Sequence, residues 1–333
     1  MEYLILVIKS LCLLVPLLLS TAYLTLAERK VIASIQQRVG PNIVGLYGAL
    51  QPLADGLKLL TKETIQPLTV DSVIFVLAPV VTFTLSLASW AVIPFASGSI
   101  LADIELGLLF LFALSGLGVY GIILAGWSSM SQFAFMGSIR ASAQMISYEV
   151  SLGLIMVTVV LFSGSLNLSH IVSMQSLLAL SSTSSLLSLS SCWYILPLLP
   201  LGLAFFISVL AETNRTPFDL VESESELVAG PFIEYSSVSL FGQFFLAEMS
   251  SILMYSTLVV VFFFGGLTLW TSWKVTIIVF GFLLVRAALP RYRYDQLNRI
   301  GWRVLLPLSL AMIPFYAGLH LTLDTFPQDS FLA

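Results

Sequence analysis

The sequence has little charge and few residues that bind metals or redox groups. Only 10% of its 333 residues are charged, whereas about 25% is usual in soluble domains. It contains two cysteines, Cys12 and Cys192, and two histidines, His170 and His320, and all four are far apart. This scarcity excludes a disulfide framework and argues against zinc, haem and iron–sulphur sites. We therefore predict no metal site, and partner proteins have to hold any redox cofactors.

Motifs that bind nucleotides or nucleic acids are also missing. The sequence has no glycine-rich phosphate loop, no dinucleotide fingerprint and no nucleophile elbow. Its 14 lysines and arginines form no basic patch, so no nucleic acid partner is expected. The first residues show no Arg-rich amphipathic leader, and we interpret residues 2–26 as a retained helix.

Long hydrophobic runs dominate the sequence. It is 58% hydrophobic, its mean hydropathy is +0.99, and several apolar stretches reach 20 residues. Since a membrane-spanning helix needs about 20 apolar residues, we predict an all-α integral membrane protein that forms a single membrane domain over residues 1–333. The eight predicted transmembrane helices are residues 3–26, 73–95, 105–126, 141–163, 193–211, 237–266, 274–290 and 302–323.

The distribution of basic residues predicts the orientation in the membrane. Twelve of the 14 lysines and arginines fall in the connecting segments 27–72, 127–140, 212–236 and 286–303. The positive-inside rule places these segments on the cytoplasmic or matrix side. With eight spans, both termini then lie on the outer side, which is the intermembrane space or the periplasm.

Two connecting segments are unusually long. The matrix-side loop 27–72 contains leucines at helical spacing over residues 46–61, with Asp55 and Lys58 mainly off that apolar stripe. This pattern predicts an interfacial amphipathic helix, although a helix packed on protein surface would show the same pattern. Segment 163–192 has twelve serines and no acidic or basic residue, and we predict an external Ser-rich loop.

The matrix-side loop 212–236 is the most acidic part of the chain. It holds a third of the 18 acidic residues, and interleaved proline, glycine and phenylalanine favour a folded, partly buried loop over a solvated one. Repulsion between its carboxyl groups raises the pKa of some of them toward neutrality, where they take up and release protons. The six acids are Glu212, Asp219, Glu222, Glu224, Glu226 and Glu234.

Two further acids, Glu149 and Glu248, fall inside predicted membrane helices. A charge there costs about 2.5–3.5 kcal/mol on insertion scales. Each is either a neutral acid that hydrogen-bonds a neighbouring helix or a member of a proton relay, and the nearby acidic loop favours the relay. Charges near the basic surface either form ion pairs or line a polar cavity, and the sequence leaves this choice open. These charges include Glu28, Arg29, Arg38, Asp55 and Lys58.

Six segments carry long and specific motifs. They are LAERKVIASIQQRVGPN (26–42), LQPLADGLKLLTKE (50–63), GWSSMSQFAFMGSIRASAQMISYEVSLG (126–153), AETNRTPFDLVESESELVAGPFIEYSS (211–237), FFLAE (244–248) and RAALPRYRYDQL (286–297). Together they resemble subunit 1 of the NADH:ubiquinone oxidoreductases, respiratory complex I. One departure is Met130, which stands where that family usually has Asn.

The resemblance implies a core membrane subunit of a proton-pumping NADH:ubiquinone reductase. Such a subunit forms the ubiquinone chamber and couples quinone reduction to proton translocation. Ubiquinone is then a substrate, while NADH, FMN and the iron–sulphur clusters bind to partner subunits. The implied partners are two peripheral-arm subunits that complete the quinone site, neighbouring membrane-arm subunits and membrane lipid. The implied location is the mitochondrial inner membrane, with a bacterial plasma membrane as the alternative.

The resemblance also assigns roles to individual residues. The proton-coupling acids are Glu149, Glu212, Glu248, Glu222, Glu224, Glu226 and Glu234. The quinone-chamber residues are Glu28, Arg29, Arg38, Asp55, Lys58, Arg215, Phe218 and Asp219. Two other functions stay open. A stand-alone cation/proton antiporter would need broken helices within an internal repeat, and a passive anchor for soluble subunits would leave the mid-membrane acids without a purpose.

Overall fold

The protein is helical throughout the part of the chain that the structure describes. A computed structural model describes residues 2–95, 100–177, 193–219, 230–235, 238–266 and 271–323, and these ranges contain no β-strand. The α-helices are α1 (Glu2–Ile35), α2 (Gln51–Leu60), α3 (Ser72–Ala88), α4 (Gly107–Ser128), α5 (Gln132–Ser163), α6 (Leu168–Leu177), α7 (Leu199–Glu212), α8 (Gln243–Phe263), α9 (Thr271–Ala288), α10 (Tyr294–Ile300) and α11 (Leu306–Leu323).

Six helical segments in the described ranges are long and apolar enough to cross a membrane. They are Val7–Ile35, Ser72–Val92, Gly107–Ser128, Gln132–Ser163, Leu240–Phe263 and Tyr294–Thr322. Each of the eight segments predicted to cross the membrane contains a helix. The two that are not among the six are α7, an apolar helix of 14 residues, and α9, which has 18 residues. The all-helical membrane architecture is therefore confirmed, with six spans that meet the length and hydropathy expected of a crossing helix.

Several helix ends differ from the predicted ones because polar residues continue the helices. Helix α1 extends to Ile35 and carries Glu28 and Arg29 within the helix. Helix α5 begins at Gln132, so most of segment 127–140 is helical. The hydroxyl of Ser131 caps this helix by accepting a hydrogen bond from the Ala134 amide.

Part of the Ser-rich segment is also helical. Helix α6 lies within it, and Leu168 and Ile171 are buried in the main core. The side chain of Gln175 donates hydrogen bonds to the carbonyls of Val261 and Phe262 at the end of α8. This part of the segment is therefore anchored to the bundle, while residues 178–192 lie outside the described ranges.

Helix α5 is central in the bundle. It packs against α4, α7 and α11, while α3 packs against α4 and α8, and α1 packs against α8 and α9. Small residues allow α4 and α5 to approach closely: a Cβ on Gly126 would lie 2.2 Å from the Ser138 hydroxyl. Several polar side chains of α5 are therefore buried in the bundle, among them Ser138, Gln144, Ser151 and Thr158.

A helix, Gln51–Leu60, lies within residues 46–61, where the sequence predicts an interfacial amphipathic helix. Leu53, Leu57 and Leu60 are all exposed on it. A soluble surface would rarely expose leucines at this spacing, so this apolar stripe suits contact with lipid or another protein.

Candidate functional site

A chain of alternating charges lies where α1, α8 and α9 meet the segment after α7. Arg215 approaches two carboxylates, with Nε 3.1 Å from Glu248 Oε1 and Nη1 3.5 Å from Glu28 Oε1. Glu28 also contacts the guanidinium of Arg286. In space, the four side chains are linked in the order Glu248–Arg215–Glu28–Arg286. The linked residues are distant from one another along the polypeptide.

This charged chain is largely protected from solvent. Glu28 and Arg215 are both less than 10% exposed, and Arg215 Nη2 lies 3.5 Å from the Met249 sulphur. Among the described residues, no acceptor meets hydrogen-bond geometry with the Arg215 Nε–H, so its contact with Glu248 is ionic. Buried charges stay ionised only when they are paired, because an unpaired charge loses its hydration without compensation.

The segment after α7 is fixed by polar contacts from two other elements. Gln144 on α5 donates hydrogen bonds to the carbonyls of Ala211 (2.8 Å) and Phe218 (2.9 Å). The Tyr292 amide donates to the Pro217 carbonyl at 2.9 Å, and the Tyr292 ring stacks on Phe218. Because both ends of the segment are held, Arg215 has a defined position between its carboxylates.

Asp219 forms a second ion pair close to this segment. Its carboxylate is buried, and it accepts a hydrogen bond of 3.1 Å from Arg291 Nη2. Arg291 is part of the segment between α9 and α10. The start of the acidic loop is therefore tied to the segment that follows α9.

A cavity of about 140 Å³ lies beside the charged chain, between α3, α4, α7 and α8. Glu212 and Glu248 both line it, together with serines and the Tyr255 side chain. The volume leaves room for several water molecules, which the polar lining would hydrogen-bond. Glu212 is buried, and its Oε2 atom has no hydrogen-bond partner among the described residues. A carboxyl group in this position is suited to exchange protons with water in the cavity.

Glu149 reaches the same region from α5. Its Oε1 atom lies 3.5 Å from the Ser115 hydroxyl, and Ser115 and Tyr255 both line the cavity. Glu149 and Glu212 interact electrostatically. Glu149 packs against Gly116 on α4, and a Cβ at position 116 would lie 2.8 Å from Glu149 Oε1, so the carboxyl would have to shift to make room for it.

Other predicted site residues lie apart from the buried chain. Arg29 and Asp55 form a partly exposed ion pair of 2.7 Å between α1 and α2. Arg38 donates to the side chain of Gln36, Lys58 is exposed, and Glu234 is partly exposed in a turn. The predicted acids Glu222, Glu224 and Glu226 fall outside the described residues.

Tyr235 closes the end of the acidic loop against α3. Its ring stacks on Phe75 with centroids 4.0 Å apart, and its hydroxyl lies 3.3 Å from both the Ser128 hydroxyl and the Phe75 carbonyl. Burial raises the pKa of Tyr235 to about 12, which the hydrogen bond with Ser128 partly opposes. This tyrosine is therefore a neutral structural contact rather than a proton carrier near neutral pH.

The departure at Met130 coincides with an unusual backbone conformation. Met130 lies between α4 and α5 with φ of 51°, a left-handed conformation that Asn adopts more readily than Met. The chain therefore carries backbone strain at the position where the family usually has Asn.

Sequence reasoning did not assign a site role to Arg286, Arg291, Gln144, Ser115 or Tyr255. Arg286 and Arg291 were counted only as basic residues that set orientation. Gln144 carried a usable signal, because an amide within an apolar span needs polar partners. The serine and the tyrosine carried none, since both residue types are common in membrane helices.

Among the described residues, no three His, Cys, Asp or Glu side chains group closely enough to hold a metal ion.

Comparison with known proteins shows the family to which the chain belongs. A family model described as NADH dehydrogenase matches residues 8–317. The chain is 49% identical over 336 residues to NADH-ubiquinone oxidoreductase chain 1 of Chondrus crispus, covering 97% of this chain and 98% of the relative. It is 50% identical over 338 residues to an NADH-quinone oxidoreductase subunit of Rickettsia bellii (strain OSU 85-389), covering 97% and 96%. The chain therefore belongs to the NADH dehydrogenase family of membrane subunits.

Proposed function

We propose that this chain is the membrane subunit that forms the ubiquinone chamber of a proton-pumping NADH:ubiquinone oxidoreductase and couples quinone reduction to proton translocation. The relatives from Chondrus crispus and Rickettsia bellii, named as parts of NADH-ubiquinone and NADH-quinone oxidoreductases, support the reaction. The chain itself contributes charged and proton-carrying side chains. Electrons reach ubiquinone through NADH, FMN and iron–sulphur clusters that partner subunits bind.

One observation carries the coupling role: buried acids and arginines form a near-continuous array. The array runs from Arg286 through Glu28, Arg215 and Glu248 to the cavity that Glu212 lines. Glu149 extends it toward α4 through Ser115. A change of charge at one end alters the electrostatic potential at the next pair, because buried groups are only weakly screened.

A second group of residues is suited to line the quinone chamber. Phe218 and Asp219 lie shortly after Arg215 in the chain, and the pair Arg29–Asp55 lies between α1 and the amphipathic helix α2. In this proposal they line the path of the quinone together with Glu28, Arg38 and Lys58. Reduction of the quinone changes the charge there, and the acids Glu222, Glu224, Glu226 and Glu234 respond by altered protonation.

The proposed setting is the mitochondrial inner membrane, with a bacterial plasma membrane as the alternative. Eight helices cross the membrane in this proposal, with both termini on the outer side. Helix α7 crosses despite its short length because it is kept within the bundle by α5 and α8. Two peripheral-arm subunits complete the quinone site, and neighbouring membrane-arm subunits receive the protons.

Replacing Glu212 by Gln in the assembled complex tests this proposal. The amide keeps the shape of the side chain but binds no proton, so NADH-driven quinone reduction and proton uptake should both fall about 100-fold, the lower end of what a positioned proton-transfer group contributes. The matched control is Glu105→Gln, because Glu105 is an exposed glutamate next to α4 and away from the cavity. Normal rates and normal pumping with Glu212→Gln would remove Glu212 from the proton route.

A passive anchoring role makes a different prediction. If the chain only anchored soluble subunits, the pair of changes Glu149→Gln and Glu248→Gln would leave assembly and activity intact. The coupling role predicts little proton transfer per assembled complex, together with less assembled complex because Glu248→Gln breaks the pair with Arg215. Native electrophoresis of the complex and proton-uptake assays on the same preparation separate the two results.

A further inference from the structure

Four aromatic side chains pack together at one end of the cavity that Glu212 lines. Phe232 and Phe244 line the cavity itself, and their ring centroids are 4.9 Å apart. The Tyr235 ring contacts Phe244 edge to face at 5.2 Å and stacks on Phe75 at 4.0 Å. These four rings, here called the aromatic cluster, therefore join the end of the acidic loop to α3 and α8.

The aromatic cluster belongs to a hydrophobic core that is separate from the main core. Phe75, Tyr235 and Phe244 are each at most 5% exposed, and Phe232 is partly buried against them. Ala78, Ala125 and Leu240 complete this small core. Because protein interiors are close-packed with few voids large enough for water, apolar side chains close the cavity at this end.

The turn that carries Phe232 is fixed on both sides of that residue. Before it, Gly230 lies against α5, where a Cβ on Gly137 would be 2.8 Å from the Gly230 Cα. After it, the Tyr235 hydroxyl lies 3.3 Å from the Ser128 hydroxyl on α4. Since both ends of this short turn are held, the Phe232 ring has a defined position over the cavity.

Proton-carrying groups lie on both sides of the aromatic cluster. Glu234 is partly exposed, lies two residues after Phe232 and does not line the cavity, whereas Glu212 and Glu248 line it. Phe232 lines the cavity and also contacts Phe241, whose side chain is 37% exposed. The Phe232 ring thus lies between the cavity and residues that reach solvent.

We propose that the aromatic cluster is a barrier that stops protons from passing directly between the acidic loop and the cavity that Glu212 lines. Phe232 is the residue that completes this barrier at its solvent side. Excluding water in this way prevents proton leakage, so a proton has to follow the buried charged side chains. The consequence for pumping rests on the proposed function, whereas the barrier itself is measurable without turnover.

Cysteine labelling of the assembled complex tests the barrier directly. Ser251 lines the cavity, and Ser251→Cys changes a single atom of its side chain. The probe is a charged, membrane-impermeant methanethiosulfonate, added to proteoliposomes in which the acidic loop faces outward. Mass spectrometry measures labelling at position 251. Adding Phe232→Ala should speed labelling at least about tenfold, which corresponds to about 1.4 kcal/mol less free energy for opening the cluster.

Two matched variants control for general loosening of the fold. Phe241→Ala also removes a ring that contacts Phe232, but Phe241 does not line the cavity, so labelling should stay slow. Phe232→Leu keeps most of the apolar volume and should also keep labelling slow. If Phe232→Ala assembles poorly, Phe232→Val is a milder truncation and should give an intermediate labelling rate.

The same proteoliposomes report the effect on pumping. Phe232→Ala should retain NADH-driven quinone reduction but hold a severalfold smaller pH gradient, because protons return through the opened cluster. Fast labelling of Ser251→Cys with the Phe232 ring present, or equal labelling with and without it, would overturn the barrier. An unchanged pH gradient in a fast-labelling Phe232→Ala complex would overturn its role in coupling. Normal pumping by Glu212→Gln would instead refute the proposed function and leave a slow-labelling barrier intact.

Discussion

Replacing Arg215 by Met tests the buried charge chain most directly. Methionine keeps much of the apolar volume of the side chain but removes the guanidinium from between Glu28 and Glu248. Both carboxylates lose a cation at 3.1–3.5 Å. Glu28 still contacts Arg286, so the loss falls mainly on Glu248.

The expected magnitude follows from the burial of the pair. Removing one partner of a buried ion pair costs about 3–5 kcal/mol, because the remaining charge loses its compensation. Total folding stabilities are about 5–15 kcal/mol, so this loss should deplete the assembled complex. Arg215→Lys should be intermediate, since one ammonium group replaces two guanidinium nitrogens that contact different carboxylates.

The assay has two readouts and an internal control. Native electrophoresis measures the amount of assembled complex, and thermal unfolding of the purified complex measures its stability. The control is Arg293→Met, which breaks the exposed pair Arg293–Asp295 of 3.2 Å and should cost less than about 1 kcal/mol.

A double variant separates stability from proton transfer. Arg215→Met combined with Glu248→Gln removes both charges, so assembly should recover relative to Arg215→Met alone. Proton pumping should stay low, because the amide introduced at position 248 carries no ionisable proton. Unchanged stability in Arg215→Met, or a double variant no more stable than the single one, would refute the buried pairing.

Three further changes have defined outcomes. Gly116→Ala should displace the Glu149 carboxyl and lower proton-coupled quinone reduction severalfold, whereas Gly118→Ala, where a Cβ meets nothing within 4 Å, should not. Met130→Asn should relieve its left-handed backbone and raise stability by about 1 kcal/mol in thermal unfolding; a lower midpoint would contradict the strain. Tyr235→Phe should cost about 1 kcal/mol through lost hydrogen bonds. The pKa of Tyr235 is about 12 in the folded protein and 10.0 for an ordinary tyrosine. As pH rises from 10 toward 12, the unfolded chain releases this proton first, so the free energy of unfolding should fall. Ultraviolet absorbance of the tyrosinate follows the titration.

The helices could be predicted because a membrane imposes a simple length requirement. An apolar run of about 20 residues is readable without any tertiary information, and every predicted span contains a helix. Helix ends were predicted less well, since α1 and α5 continue through polar residues. Such residues stay helical where neighbouring helices or the aqueous interface hydrogen-bond their polar side chains. Whether a partner is present depends on how the helices pack.

The sequence singled out acidic residues of the candidate site, but it did not indicate which basic residues would pair with them. Glu149 and Glu248 stand out because ionisable residues within apolar runs are costly and rare. No sequence signal indicated that Arg286 would contact Glu28, because the two are distant in sequence and their helices are adjacent only in the bundle. The role of Gln144 in holding the segment after α7 was hidden for the same reason.

The sequence alone determined that this protein lies in a membrane, where its apolar runs are, and which acids are costly enough to need a function. These properties depend on composition and on spacing along the chain. Tertiary structure decided which charges neutralise one another, which carboxyls share a cavity, and which aromatic rings close one end of it. Such contacts join residues from separate helices, so they are set by how the helices pack against each other.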